Sequence, residues 1–108
     1  MEFQLHYTEQ GQGTPFVFLH GNGGSSDYFS HQTEHFSKKY RVIAVDTRGH
    51  GKSPRGDAPF TLAQFVEDLK QLLDHLKLKK IILLGFSDGG NIAMMFTLKY
   101  PQYVKNSF

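Results

Sequence analysis

Three short, unbroken apolar runs alternate with longer stretches of helical periodicity, and this alternation restricts the fold more than any other feature. The runs are Phe16–Leu19, Val42–Val45 and Ile81–Leu84. A strand with one wet face alternates apolar and polar residues, whereas an unbroken run needs cover on both faces, as in a parallel sheet between helices. The intervening stretches supply that cover. Leu62, Phe65, Val66, Leu69, Leu72, Leu73 and Leu76 recur at three- and four-residue steps and form one apolar stripe. Thr61 and Gln64 stand as a capping box before it, and Phe60 is placed to staple onto Phe65. An earlier helix, capped by Ser26 or Asp27, would carry Phe29, Phe36 and Tyr40 on one side. A third should run from about Ser87 to Tyr100, where Pro101 stops it. Its stretch Ile92–Phe96 is apolar all round and is expected to be deeply buried.

Phe3, Leu5 and Tyr7 alternate with Gln4, His6 and Thr8, which predicts a half-buried first strand with His6 on its outer face. Gly11, Gly13 and Pro15 then turn the chain, and an antiparallel pairing of this strand with Phe16–Leu19 is expected. The order strand, strand, helix, strand, helix, strand, helix indicates an α/β fold with a mostly parallel sheet flanked by helices.

With 108 residues, one domain is the ceiling. The formal charge is +2 with acidic and basic residues intermixed, so no basic stripe points to nucleic acid. Lys77, Lys79 and Lys80 cluster at the end of a helix, where cations complement the dipole and solvate a face. The absence of cysteine removes disulfides, Cys–zinc sites and a thiol nucleophile together. No basic start followed by an apolar block marks a signal peptide, and no run nears the roughly 20 apolar residues of a membrane span. A cytoplasmic protein without a membrane partner is the expectation.

The chemistry concentrates where the third apolar run meets the third helix. Gly85-Phe86-Ser87-Asp88-Gly89 fits G-x-S-x-G in the strand-to-helix setting of a nucleophile elbow. Such a turn lifts Ser87 off the sheet and needs small residues two positions either side, here Gly85 and Gly89. The helix N-terminus favours negative charge developing there. His20-Gly21-Asn22-Gly23-Gly24 follows the second strand. Acyl transfer needs backbone N–H groups aimed at an oxyanion. In elbow geometry one donor is Asp88 and the other comes from this loop, at Asn22, with Gly23 as the alternative.

Phe18-Leu19-His20-Gly21-Asn22-Gly23-Gly24, Asp46-Thr47-Arg48-Gly49-His50-Gly51-Lys52-Ser53 and Leu84-Gly85-Phe86-Ser87-Asp88-Gly89-Gly90 resemble three successive motifs of the α/β-hydrolase family. Tyr100-Pro101 after the third helix is also similar to that family. The resemblance covers essentially the whole chain. It implies a serine hydrolase acting on a small-molecule acyl substrate, an ester, thioester or amide, with water as co-substrate and no cofactor. The elbow looks most like those of small esterase-like and valacyclovir-hydrolase-like members.

The family's triad runs serine, acid, histidine along the chain. After Ser87 the only acidic residue is Asp88, which belongs to the elbow, and no histidine follows. Residues 1–108 therefore read as the N-terminal part of a single α/β-hydrolase domain, inactive as it stands. Lid, triad acid, triad histidine and C-terminal strands would lie beyond. The tail Gln102–Phe108 reads as the approach to a further strand, cut short. The Ile81–Leu84 strand would then keep an open edge through which the chain self-associates.

Other readings compete. The chain could serve as a catalytically dead binding or assembly module. His31, Glu34 and His35 match H-x-x-E-H, and both histidines lie on one helical face as a zinc peptidase requires, although no third ligand is identifiable. Gly51-Lys52-Ser53 resembles the end of a phosphate-binding loop, but Asp46 stands where the motif needs glycine. Asp46, Arg48 and His50 invite reading as a second acid–base set, but the family resemblance implies a mainly structural loop whose glycines shape the turn and whose polar groups bond backbone.

Overall fold

A computed structural model describes residues 5–20, 30–47, 53, 61–86 and 88–107. Five strands form one sheet in the order β1-β3-β2-β4-β5: β1 (Tyr7–Gln10), β2 (Pro15–Leu19), β3 (Arg41–Val45), β4 (Ile81–Gly85) and β5 (Val104–Ser107). Helices α1 (Ser30–Phe36), α2 (Leu62–His75) and α3 (Asp88–Lys99) connect them, and a 3-10 turn at Pro101–Tyr103 leads into β5. The strands β3, β2, β4 and β5 run parallel, and β1 is antiparallel to β3.

The unbroken apolar runs are explained by two cores, one on each face. Val17, Leu19, Ile43, Val45, Ile81 and Leu83 join Val66, Leu69, Leu72 and Leu73 of α2 and Ile92, Ala93 and Phe96 of α3. The alternate residues Phe16, Phe18, Val42, Ala44 and Ile82 pack against Phe36 and Tyr40. Aromatic contacts close this second core, with Phe16 lying 5.3 Å from Phe36 and 5.4 Å from Tyr40, ring centre to ring centre.

Three expectations are corrected. First, β1 does not form a hairpin with β2; it pairs with β3, Tyr7 opposite Val45 and Gln10 opposite Val42. Both edges of β2 are taken by β3 and β4, which leaves the outer edge of β3 for β1. The Gly11–Thr14 link crosses past the end of α1, and a Cβ on Gly11, at φ +90°, would overlap the backbone of Ser37 and Tyr40. Second, β4 is not an edge. The tail expected only to approach a strand forms β5, beside β4, so the outer strands are β1 and β5. Third, α3 is not buried all round. Ile92, Ala93 and Phe96 are buried, but Met94 and Leu98 are 56% and 78% exposed. One side of α3 meets the sheet and α2, and Asn91, Met94 and Leu98 form a stripe on the other. Among the described residues, no helix is long and apolar enough to cross a membrane.

The α2 start is half of a capping box. Thr61 Oγ1 accepts the Gln64 N–H at 3.1 Å, while the Gln64 side chain turns away to Asp68. Phe60, Phe29 and the caps Ser26 and Asp27 lie outside the described residues.

The α2 end is a Schellman turn. The Leu78 N–H reaches the Leu73 carbonyl and the Lys77 N–H reaches that of Asp74, with Leu73 and Leu78 both buried. Lys77 takes the left-handed conformation there, at φ 58°, where glycine is unstrained. Lys77→Gly and Lys77→Ala both remove the cation, but only glycine relieves the backbone. The glycine variant is expected to be the more stable by about 1 kcal/mol in urea denaturation. Equal midpoints would show that the turn carries no such strain.

Polar side chains tie α2 to α3 and to the turn after it. Glu67 accepts from Lys99 Nζ at 2.7 Å and from the Tyr100 hydroxyl at 2.8 Å; Asp74 accepts from Lys70 Nζ at 2.7 Å and from the Tyr103 hydroxyl at 2.6 Å. The Lys99 bond, then the Tyr100 bond, hold the Glu67 carboxyl below its ordinary value, and Lys70, then Tyr103, do the same for Asp74. A lowered folded-state pKa contributes stability that is present above the ordinary values of 4.5 and 3.8 and is lost as pH falls through the depressed ones. The melting temperature should therefore drop as pH falls from about 5 downward. Glu67→Gln combined with Asp74→Asn should flatten that acid limb; an unchanged limb would show that the two clusters do not contribute.

Candidate active site

The ends of β2, β3 and β4 are level. Leu19 lies opposite both Val45 and Gly85, so the chain leaves three adjacent strands along one line at the C-terminal edge of the sheet. His20, Asp46 and Phe86 are the first residues beyond. Ser87, Asn22 and Gly23 lie outside the described residues, and Asp88 is described only as the first residue of α3. The neighbours of Ser87 in the chain, Phe86 and Gly89, are bonded through their backbone. The Phe86 N–H donates to the Leu19 carbonyl at 3.0 Å, and the Gly89 N–H donates to the Phe86 carbonyl at 3.0 Å. The chain thus passes from strand to helix within four residues.

Gly85 and Gly89 are both packed against backbone. A Cβ on Gly85 would fall far inside 3.0 Å of the Gly89 carbonyl, and one on Gly89 would overlap the carbonyl oxygens of Leu19 and His20. Neither glycine has a positive φ, so it is the missing Cβ that matters, not backbone freedom. Strand β2, strand β4 and the start of α3 meet at these two residues. The sequence spacing anticipated this approach between β4 and the helix; the contact of Gly89 with the end of β2 is new.

His20 is buried at 2% exposure. Its Nε2 accepts the Thr47 N–H at 3.0 Å, and the Thr47 hydroxyl lies 3.2 Å away. A backbone N–H can only donate, so this nitrogen carries no proton and the ring is the neutral Nδ1–H form. With its Nε2 lone pair engaged, His20 is unsuited to act as a base.

Asp46 is also buried, at 2% exposure, with a carboxylate oxygen 2.8 Å from Nδ1 of His6. The Ser53 hydroxyl donates to the Asp46 carbonyl oxygen and accepts the His6 N–H at 2.7 Å. Ser53 and Asp46 are thus tied to each other and to His6, while Gly51 and Lys52 lie outside the described residues. His6 departs from expectation: its ring turns to Asp46 instead of lying free on the outer face. No local sequence signal could announce this pair, because 40 residues separate its members. Arg48 and His50 lie outside the described residues.

His31, Glu34 and His35 are exposed on α1, and the His35 ring packs edge-on to Phe36 at 4.9 Å. Among the described residues no three His, Cys, Asp or Glu side chains gather as a metal would require, so nothing described joins the two histidines as a third ligand.

A family model described as alpha/beta hydrolase fold matches residues 14–107. The chain belongs to the α/β-hydrolase family. This α/β-hydrolase chain is 41% identical over 107 residues to the human serine hydrolase BPHL, with 94% of the chain matched to 37% of that protein. It is 38% identical over 100 residues to (E)-2-((N-methylformamido)methylene)succinate hydrolase of Acinetobacter baylyi, covering 93% of the chain and 38% of the relative. Among solved structures, a marine microorganism esterase superposes with a TM-score of 0.93 at 30% identity, over 98% of the chain and 41% of the esterase. An epoxide hydrolase from Bacillus megaterium gives 0.89 at 31% identity, over 95% and 37%. The chain thus spans roughly two fifths of the length of these α/β-hydrolase relatives. An esterase and an epoxide hydrolase both stand among these likenesses.

Proposed function

We propose that this chain carries the nucleophile side of a serine hydrolase that cleaves an ester, thioester or amide of a small acyl substrate. Ser87 attacks the carbonyl carbon, and the backbone N–H groups of Asp88 and Asn22, or Gly23 in its place, receive the oxyanion. A histidine from a part of the protein beyond these residues, oriented by an acid, takes the serine proton and returns it to the alcohol, thiol or amine that leaves as the carbonyl bond to it breaks and the acyl-enzyme forms. Water then hydrolyses the acyl-enzyme. One observation carries the reading: Gly85 and Gly89 are packed tightly against backbone where β4 passes into α3, the close approach that a nucleophile-elbow turn requires. The residue between them is a serine. Kinship with a human serine hydrolase and likeness to an esterase support the same chemistry. The direct test treats the protein that carries this chain with a fluorophosphonate and maps the adduct by mass spectrometry. Modification of Ser87 is expected, and modification elsewhere with Ser87 untouched would refute the proposal.

A further inference from the structure

His6 lies ahead of the family match, which begins at residue 14, yet it reaches into the catalytic edge. It makes three hydrogen bonds to the turn that leaves β3. Its carbonyl accepts the Asp46 N–H at 2.9 Å, its N–H donates to Ser53 Oγ at 2.7 Å, and its Nδ1 donates to the Asp46 carboxylate at 2.8 Å. Ser53 closes the ring by donating to the Asp46 carbonyl oxygen, so the two ends of the 46–53 segment are held together around one histidine. The next residue, Thr47, donates its N–H to His20 Nε2 at 3.0 Å. His20 is covalently joined to Gly21, one residue before Asn22.

We propose that His6 is a positioning residue for hydrolysis, acting through Asp46 and Thr47 on His20 and so on the oxyanion segment that begins at Gly21. The inference rests on the serine-hydrolase reading. Stability alone does not account for the arrangement. Asp46, Thr47, Ser53 and His20 are all less than 9% exposed, and burying polar groups costs desolvation that apolar side chains avoid. Leu19 and Val45, one residue earlier on the same strands, show how this sheet packs where only stability is required. A satisfied polar ring gives directionality instead: it fixes distances and angles that a greasy contact leaves loose. Oxyanion donors are sensitive to that, since a misplacement of about 1 Å can cost on the order of 100-fold in rate.

The test uses the protein that carries this chain, with His6→Ala and His6→Asn. Both variants keep the two backbone bonds at residue 6. Asparagine also places an N–H donor where Nδ1 stood. Three quantities are read: kcat and KM on a short p-nitrophenyl ester, melting temperature, and the NMR signals of the His20 ring nitrogens. His6→Ala is expected to lose about ten-fold or more in kcat with KM within two-fold. It should also shift the His20 ring signals, and His6→Asn should recover most of the rate. Wild-type kcat in His6→Ala would overturn the proposal. So would equal losses in both variants that track a lower melting temperature, because that marks a purely structural role. If the wild-type protein has no Ser87-dependent turnover, the functional reading fails on its own, and the His20 signals still decide. Moved signals in His6→Ala uphold the coupling and unmoved signals overturn it.

Discussion

Ser87→Ala is expected to lower kcat of the protein that carries this chain on the order of 10⁶-fold, as in triad enzymes stripped of their nucleophile. A polypeptide of these 108 residues alone is expected to match the variant, with no Ser87-dependent turnover. The reason is proton inventory. A serine hydroxyl is a poor nucleophile near neutral pH until a neighbouring base takes its proton. Six histidines are available, all before Ser87. The Nε2 of His20 accepts the Thr47 N–H, and Nδ1 of His6 faces Asp46. His31 and His35 are exposed on α1, and His75 ends α2 where that helix turns toward the opposite edge of the sheet. Hydrolysis of a p-nitrophenyl ester by the polypeptide, its Ser87→Ala form and the full protein separates the cases. Turnover by the polypeptide that disappears in Ser87→Ala would place a base inside these residues, and His50 would be the first to replace.

Gly89→Ala is expected to destabilise by about 3–5 kcal/mol, enough to unfold a small domain. The new methyl would occupy the space of the Leu19 and His20 carbonyl oxygens, which are backbone and cannot rotate away. Relief requires moving α3 off the sheet, and with it Ile92, Ala93 and Phe96 of the main core. Gly85→Ala meets the Gly89 backbone in the same way. Gly90 supplies the control. A Cβ there comes no closer than 3.5 Å, to the Gly85 carbonyl oxygen, an ordinary contact. Gly90→Ala should stabilise by about 0.5–1 kcal/mol through helix propensity. Denaturant unfolding of the three variants gives the ranking, and a Gly89→Ala protein as stable as wild type would mean that Gly89 is not packed as described.

What the sequence made legible was local. The runs Phe16–Leu19, Val42–Val45 and Ile81–Leu84 became strands within a residue of the expected bounds, and the leucine stripe became α2. Each signal lies within a dozen or so neighbouring residues. Pairing was not legible, because a residue's pattern states which face it buries but not who sits beside it. Tyr7 has the same alternation whether it lies next to β2 or β3, and only the occupation of both β2 edges decides. Val104–Ser107, one apolar residue followed by polar ones, carries too little pattern to announce a strand. Met94 and Leu98 show the limit of composition: an apolar helix need not be covered on all sides. At the candidate site the G-x-S-x-G spacing located the close approach of Gly85 and Gly89, while the His6–Asp46 and His20–Thr47 pairs, 40 and 27 residues apart, emerge only from the fold.

The placement of β1 beside β3 also sets when each part of the sheet can form during synthesis. Had β1 paired with β2, a hairpin could close as soon as Leu19 left the ribosome. Instead Phe16, Val17, Phe18 and Leu19 emerge with no partner strand until Arg41–Val45 follows, and lack a second until Ile81–Gly85 appears. At about 5–20 residues per second, the stretch from Leu19 to Val45 keeps this apolar strand unpaired for roughly 1–5 s, in a parallel topology that closes slowly. That interval is when a holding chaperone would have the most to bind, and Phe16–Leu19 is the segment it would find.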